Sequence, residues 1–423
     1  MIFKNHFICN IDRLQYDKNL TAVTDLFNTV HATLIKYPNH CVVLTKLWEA
    51  SSTKSWQENF IKLINLIKQY YPTTKILLII NSWYQKQVNF IDKSLVDEIV
   101  FVDFFLLMTY YRLIVNNESA VALNWDPSNK KFLFLTGKPY KIHRIRLLHK
   151  FKQHNLLPYA TWSLFVTDDN SRGELSYDNS RQRSRKFLKE LSDDEYNLFL
   201  STHSNNPDSI TMVTMLHKFG MTVPRGIPYQ LELYKNSLFQ VISETDFEKS
   251  IPWITEKTWL SIINRRPFLM ASSKGTLEKL KKMGFKTFEN YTKMHYDNIA
   301  SSEKRLDAIV INTKYWIDNM HDYVDDIEKD VEYNYQRLLE LAQINSNKLL
   351  QLIDKYALDC EIEEIIRLVD EMAYDASQAQ WCSWYKRIKD DSWPDCPNED
   401  DFVNLPDWIQ QECINVFNYK TKN

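Results

Sequence analysis

The feature that most constrains the fold of this chain is a repeated alternation of short apolar runs with amphipathic helical segments. The runs at 41–47 (CVVLTKL) and 75–80 (KILLII) are aliphatic, as strands buried in a parallel sheet are. Between them, apolar residues recur at helical spacing on one face, namely Trp56, Phe60, Leu63, Ile64 and Ile67. A third run at 98–102 (EIVFV) precedes an apolar helical pattern. Strand–helix–strand repetition predicts a parallel sheet with right-handed crossovers.

The alternation begins again after a stretch of turn-forming residues at 126–131 (DPSNKK). Apolar runs then predict strands at 132–135, 160–165, 239–242, 267–271 and 285–288. Amphipathic segments predict helices at 142–153, 255–264 and 276–283, and the polar stretch at 168–184 predicts a loop. From 301 to about 370 the pattern is mostly helical, with an apolar stripe formed by Val324, Ile327, Val331, Tyr335, Leu338 and Leu339.

A chain of 423 residues exceeds the size at which one hydrophobic core usually keeps growing, so we expect more than one domain. The predicted fold class is α/β, with two Rossmann-like domains at 1–125 and 130–345 that face a cleft. Ligands of such folds usually bind at the carboxyl ends of the strands. The remainder, 346–423, is predicted to be a helical extension rich in acidic residues and tryptophan. It is either a docking surface or a compact helical cap that buries its tryptophans, and we favour the cap.

Composition argues against several classes of protein. The net charge of −2 gives no general reason to expect binding to nucleic acid or to anionic membranes. With only six glycines and no GxGxxG or GxxxxGK[ST], dinucleotide-binding and P-loop sites lose their main support. The most apolar window, 99–114, is interrupted by Asp103 and Arg112 and is too short to span a bilayer. Since the cysteines are scattered and the N-terminus does not resemble a signal peptide, we expect a cytoplasmic protein with reduced thiols.

The residues most indicative of chemistry lie between 243 and 258. Glu244 directly follows a predicted strand, and Thr255 is a good N-cap for the helix that begins after it. A helix N-terminus presents backbone N–H groups and a partial positive charge, so it suits a diphosphate. Lys257 adds a full positive charge there, and Glu256 can accept hydrogen bonds from ribose hydroxyls. Taken alone, these residues fit a capped surface helix with an exposed Glu and Lys better than a nucleotide-sugar site.

Their context resembles the donor-binding half of α-1,3-fucosyltransferase-like enzymes. The similarity covers about 234–305 and includes ET, TEK, PF, GFKTF and YD, the last at Tyr296 and Asp297. It is closer still to glycosyltransferase-like proteins of large phages and other viruses. It is weaker over 132–163 and absent from the first 125 residues and the acidic tail. The resemblance implies the two-domain architecture called GT-B, with 1–125 as the acceptor domain and 130–345 as the donor domain.

The resemblance also implies roles for single residues. Glu256 would bind the ribose and Lys257 the phosphates of a UDP- or GDP-linked sugar, while Glu244 would line the same pocket. The family supplies a phosphate-binding Arg from an earlier helix, but 201–220 contains none. Arg144 or Arg146 is our candidate in its place, because guanidinium groups clamp diphosphates. A solvated basic helix face is an equally good interpretation of either one.

Sugar transfer also requires stabilisation of the leaving nucleotide and, in an inverting reaction, a base for the acceptor hydroxyl. Single-domain glycosyltransferases often hold a metal ion with an Asp-x-Asp triplet, and this chain has none, which favours metal-independent stabilisation of the leaving nucleotide. Three histidines at 143–154 lack the HExxH arrangement of zinc sites. An inverting transfer needs a base for the acceptor hydroxyl, and Glu49 is our first candidate and Asp103 the second, although both fit structural roles.

The leading hypothesis is therefore a metal-independent glycosyltransferase that uses a nucleotide sugar and an acceptor hydroxyl. A second hypothesis is a non-catalytic binding protein on a degenerate transferase fold, since the family's Arg is missing. A third is a viral enzyme that glycosylates a hydroxylated DNA base, which the resemblance to viral proteins and the basic stretch 130–154 allow. The near-neutral net charge disfavours this third hypothesis, because binding to duplex DNA rests on many Lys and Arg contacts with phosphates.

Overall fold

The computed structural model describes residues 6–11, 14, 21–46, 54–82, 91–92, 94–115, 132–136, 141–164, 234, 236–248 and 252–358. They form an α/β protein with two four-stranded sheets, all of whose strand pairs are parallel. The described residues fall into two compact units. The first unit takes its residues from 1–119 and 338–372, and the second from 120–337.

The first unit contains a sheet whose strands lie in the same order as in the sequence, β1-β2-β3-β4. The strands are β1 (His6–Asn10), β2 (Cys41–Lys46), β3 (Ile76–Asn81) and β4 (Glu98–Val102). The helices are α1 (Thr21–Lys36), α2 (Lys54–Tyr70) and the short α3 (Phe104–Thr109), which continues as a π-helical segment at Tyr110–Val115. Every residue of β2 and β3 is buried, which confirms the prediction that their aliphatic runs are core strands.

Helices α1 and α2 pack on the same face of this sheet. Alternate residues of β1, β2 and β3 share one hydrophobic cluster with both helices; the strand members include Phe7, Cys9, Val42, Leu44, Ile76 and Leu78. The predicted apolar face of α2 is confirmed, because Trp56, Phe60, Leu63, Ile64 and Ile67 are all buried. A sheet whose strands follow one another in one direction gathers its crossover helices on one face, since parallel crossovers are right-handed.

The second unit contains a sheet in which the strand order is not the sequence order, namely β6-β5-β7-β8. Its strands are β5 (Phe132–Thr136), β6 (Ala160–Leu164), β7 (Phe239–Ser243) and β8 (Phe268–Ala271). Its helices are α4 (Ile142–Gln153), α5 (Glu256–Ile263), α6 (Thr276–Lys282) and α7 (Ser302–Asn319). Turns of 3₁₀ helix lie at Leu157–Tyr159, Glu289–Tyr291 and Met320–Tyr323. The long helix α8 (Val324–Lys355) follows.

The two faces of the second sheet are covered by different helices. On one face, the rings of Phe132 and Phe239 stack at 5.4 Å, and they contact Phe151 of α4 and Trp316 of α7. Helix α5 covers the other face, because the step from β7 to β8 runs in the opposite direction to the step from β5 to β6 and parallel crossovers are right-handed. The chain leaves β5 for β6 on one side and later returns to β7 on the other. This reversal between β5 and β7 is a topological switch point, where α/β proteins bind ligands.

The predicted strand at 285–288 is wrong. The backbone of Lys286 pairs with a side chain instead of a strand, since its N–H donates to Asn334 Oδ1 at 2.8 Å and its carbonyl accepts from Asn334 Nδ2 at 2.9 Å. Gly284 and Phe288, which bracket it, have positive φ angles of 94° and 61°, so the chain turns at both ends. A Cβ at position 284 would also lie 2.7 Å from Arg337 Nε.

The other strands and helices predicted within the described residues are present, with ends that differ by one or two residues. Strand β1 and helix α1 were not predicted. The predicted helical region from 301 begins with α7 and α8, and Ile327, Val331 and Leu338 of its stripe are buried. The proposed boundary at 345/346 falls within α8, whose residues from 338 onward belong to the first unit. The predicted linker 126–131 and loop 168–184 lie outside the described residues, as does the tail after 358.

No helix in the described part of the chain is both long enough and apolar enough to cross a membrane.

Candidate functional site

The candidate site lies at the carboxyl ends of β5 and β7, where the order of the second sheet reverses. Strand β7 ends at Ser243 and is followed directly by Glu244, and α4 begins shortly after β5. Helix α5 follows β7 in the chain and directs its N-terminus to the Glu244 carboxylate. The switch point thus brings together two helix starts and the end of a central strand.

Glu244 is fully buried, and its side chain is tied to the start of α5. One carboxylate oxygen accepts hydrogen bonds from Thr255 N at 3.0 Å and from Thr258 Oγ1 at 2.6 Å. The other accepts from Thr255 Oγ1 at 2.5 Å. Glu244, which was predicted to line the pocket, therefore has no exposed surface, and both of its carboxylate oxygens accept hydrogen bonds from Thr255 or Thr258.

Thr255 is the N-cap of α5, as predicted. Its backbone is extended, with φ −115° and ψ −176°, and its hydroxyl oxygen accepts from Lys257 N at 3.5 Å. The carbonyl of Thr255 accepts from Thr258 N at 3.2 Å. The start of α5 is thus held both by the Thr255 cap and by the buried Glu244 carboxylate.

Glu256 and Lys257 form an ion pair in the first turn of α5. Lys257 Nζ lies 2.5 Å from Glu256 Oε1 and 3.2 Å from Thr255 Oγ1. The two side chains are 31% and 22% exposed, so both can reach solvent. Burial alone would raise the pKa of Glu256, but the charge and hydrogen bond of Lys257 outweigh it and hold that pKa below its ordinary value. The helix N-terminus therefore carries an ionised carboxylate beside an ammonium group.

The start of α4 supplies a buried basic cluster. Arg144, 2% exposed, places Nη2 at 3.4 Å from the carbonyl oxygens of both Ser243 and Glu244. His143 lies 3.1 Å through Nε2 from the Glu244 carbonyl. Burial, followed by the charge of Arg144, keeps the pKa of His143 well below its usual value, so the ring is neutral and Nε2–H is the donor. Arg146, the alternative phosphate-binding candidate, is half-buried and lies two residues further along α4.

Several residues of this region were not singled out from the sequence. The ring of Phe247 stacks on His143 at 5.1 Å and carries the Arg305 guanidinium at 4.2 Å from its centre. Lys141 lies 3.7 Å from the buried carboxylate of Asp246. One feature of the sequence indicates Asp246 and Phe247, which is that residues 245–247 directly follow the end of a predicted strand. Their partners lie about a hundred residues earlier or sixty later in the sequence, where no local pattern points to them.

The YD pair of the resemblance has a supporting position in the structure. The Tyr296 hydroxyl accepts from Met270 N of β8 at 2.9 Å. The Asp297 carboxylate accepts from Leu277 N and Glu278 N, both at 3.1 Å, at the start of α6. These two residues therefore fasten a loop to β8 and α6.

Of the two candidates for a catalytic base, the structure describes only Asp103. Glu49 lies outside the described residues. Asp103 is buried at the N-cap of α3, where its Oδ1 accepts from Leu106 N at 3.1 Å. The side-chain amide of Asn345 bonds both its backbone N–H, at 2.8 Å, and its carbonyl, at 2.9 Å. Asp103 therefore has a structural position that is complete without any substrate.

Among the described residues, no three His, Cys, Asp or Glu side chains come together in a way that could hold a metal ion. Neither the known protein-family models nor the curated proteins include a match to this chain. The interpretation of the site therefore rests on its own geometry and on the motifs of the sequence.

Proposed function

We propose that this chain is a glycosyltransferase of GT-B type that transfers a sugar from a nucleotide donor to an acceptor hydroxyl. The observation that carries the proposal is the position of the Thr255-Glu256-Lys257 helix start at the switch point of the second sheet. Crevices at such points are the usual ligand sites of α/β folds. The resemblance of 234–305 to fucosyltransferase-like donor domains supports the same assignment.

The proposed donor lies with its diphosphate at the N-terminus of α5. Lys257 leaves Glu256 and pairs with the phosphates, since a fully charged diphosphate attracts an ammonium group more strongly than one carboxylate does. Glu256, released from the ion pair, accepts hydrogen bonds from the ribose hydroxyls. The helix dipole and Lys257 stabilise the departing nucleotide without a metal ion, and Arg144 or Arg146 of α4 is the proposed second cation.

The acceptor is proposed to be bound by the first unit, with Glu49 as the base that deprotonates its hydroxyl. Asp103 is the weaker candidate, because its carboxylate already caps α3. Glycans and DNA that contains hydroxylated bases are the acceptors to test.

The decisive experiment is a thermal-shift screen of the full chain against UDP, GDP, CMP, dTDP and their common sugar conjugates. A ligand that binds only the folded state raises the melting temperature by mass action. We expect a shift with one nucleotide, lost in Lys257→Ala. The matched control is Lys282→Ala, which removes a lysine paired with Glu278 in α6 at 3.5 Å and should keep the shift. An unchanged affinity in Lys257→Ala would sink the proposal.

A second candidate function is a binding protein that has lost catalysis. The observation that favours it is the burial of Arg144, whose Nη2 faces strand carbonyls instead of a phosphate position. Nucleotide-sugar binding without transfer to any acceptor and without donor hydrolysis would favour this candidate over the enzyme.

A further inference from the structure

Glu244 is bonded through every polar atom that it has. Its N–H donates to the Ala271 carbonyl of β8 at 2.9 Å, and its own carbonyl accepts from His143 and Arg144 of α4. Its carboxylate accepts two hydrogen bonds from Thr255, the N-cap of α5, and one from Thr258 in the first turn of that helix. One residue thus connects the start of α4, the edge of β8 and the start of α5, which are the elements around the switch point.

The hydrogen bonds of the carboxylate are placed so that they fix α5 without occupying its anion-binding groups. Glu244 takes the N–H of Thr255, which precedes the helix, and the hydroxyls of Thr255 and Thr258. It takes none of the backbone N–H groups of the first turn itself. Its negative charge also stabilises the positive end of the helix from the inner side.

We propose that Glu244 is a positioning residue, which holds the N-terminus of α5 through Thr255 and Thr258 and does not touch the donor. This inference rests on the proposed function and changes the role that the family resemblance implies for this residue. The zero exposure of Glu244 leaves no surface for a ligand, whereas Glu256 and Lys257 next to its partners are accessible. Loss of the carboxylate therefore acts on the donor only by displacing those two residues.

The test is a double-mutant cycle on nucleotide affinity. Glu244→Gln replaces one carboxylate oxygen with an NH₂ group that cannot accept from a threonine hydroxyl, and Thr258→Val removes the hydroxyl that donates to Glu244 Oε1 while keeping the shape of Thr. Thr258→Ser keeps the hydroxyl and is the matched control. The dissociation constants of UDP and GDP are measured by calorimetry for the full chain, together with the free energy of unfolding in urea.

We expect each of the two variants to weaken binding of the preferred nucleotide about tenfold, because a helix start that is displaced by a fraction of an ångström loses its alignment. The double variant should be about as weak as Glu244→Gln alone, since both changes loosen the same attachment of the start of α5 to residue 244. Thr258→Ser should bind like the wild type. A purely structural role would lower the unfolding free energy and leave the affinity of the folded protein unchanged.

Three outcomes overturn the inference. If Thr258→Val binds normally while Glu244→Gln does not, Glu244 contacts the donor itself. If the losses of the two variants multiply, they act independently. If the wild type binds none of the nucleotides, the proposed function fails and the inference fails with it. Should Glu244→Gln not fold, the Val and Ser variants of Thr258 still decide, because normal binding by the Val variant contradicts the positioning role.

Discussion

The two sheets of this protein use similar strands in different orders. Each has four parallel strands of four to six residues. In the first unit the order β1-β2-β3-β4 runs in one direction, and α1 and α2 share one face. In the second the order β6-β5-β7-β8 reverses, and helices cover both faces. The order of the strands, not their composition, determines which sheet opens a crevice at its carboxyl edge.

The carboxyl ends of the two sheets also use polar residues differently. In the first, the Lys46 ammonium lies 4.7 Å from the ring centre of Trp56, and Asp103 caps α3. Each of these side chains contacts the helix that follows its own strand, and the backbone of Asp103 also bonds to Asn345 of α8. In the second, Glu244 joins residues from α4 and α5 at one point. Where the sheet reverses, a buried carboxylate and a buried guanidinium from separate elements lie close together, and this arrangement suits a charged ligand.

The largest expected effect comes from removing one buried tryptophan from each unit and comparing stability and nucleotide affinity. Trp56 of α2 and Trp259 of α5 are both fully buried. Trp56→Ala and Trp259→Ala should each lower the free energy of unfolding by about 3–5 kcal/mol through the cavity they create. Only Trp259→Ala should weaken nucleotide binding, because α5 carries Glu256 and Lys257. The measurements are urea unfolding and calorimetric titration at a temperature where both variants are folded.

A weaker nucleotide affinity in folded Trp56→Ala would contradict the comparison, since it would make the first sheet part of the proposed donor site. Equal affinities in all three proteins would move the donor site away from α5.

The second prediction concerns pH and the basic cluster of the second sheet. The folded protein keeps His143 neutral, whereas the unfolded chain has an ordinary histidine pKa of about 6.5. Below that pH the unfolded chain binds a proton that the folded state does not bind. The free energy of unfolding should therefore fall as pH decreases, with His143 contributing up to about 1.4 kcal/mol per pH unit.

His143→Gln retains a donor for the Glu244 carbonyl and should reduce this slope, as measured by urea unfolding between pH 7 and pH 5. His154→Gln, which changes an exposed histidine after the same helix, is the control and should keep the slope of the wild type. Identical slopes in the wild type and His143→Gln would show that His143 is protonated without penalty in the folded state.

Local patterns were enough to predict most strands and helices, because aliphatic runs and helical spacing are local properties. They missed β1 (HFICN), which is short, and α1, whose apolar residues are interleaved with threonines. They failed at 285–288 because Asn334, 48 residues away, replaces the strand partner. At the site, capping chemistry predicted the role of Thr255. The burial of Glu244 and Arg144 depends on the strand order, which no local window contains.

The third prediction tests the carboxylate at the edge of the first sheet. Asp103→Ala should lower the free energy of unfolding by about 1 kcal/mol, because it removes the N-cap of α3. Asp103→Asn keeps a capping oxygen and removes the charge, so its stability should be close to that of the wild type. If Asp103 is only a cap, sugar transfer by Asp103→Asn should also be normal. A stable Asn variant that has lost transfer would instead identify Asp103 as the base.

The smallest effect is expected from the Glu256–Lys257 pair, where the direction of the change in pyrophosphate affinity distinguishes two roles of the carboxylate. In the ligand-free protein the Glu256 carboxylate already occupies Lys257, so it competes with an incoming phosphate for the same ammonium group. Glu256→Gln removes this competitor and should tighten binding of inorganic pyrophosphate about two- to fivefold, in keeping with the modest strength of a partly exposed ion pair. The same variant should bind the nucleoside diphosphate less well, because an amide is a weaker acceptor for ribose hydroxyls than a carboxylate.

The control is Glu278→Gln, which alters the Glu278–Lys282 pair in α6 and should change neither affinity. Weaker binding of both ligands by Glu256→Gln would mean that the carboxylate orders Lys257 for the phosphate instead of competing with it, and the ion pair would then be a preformed part of the site.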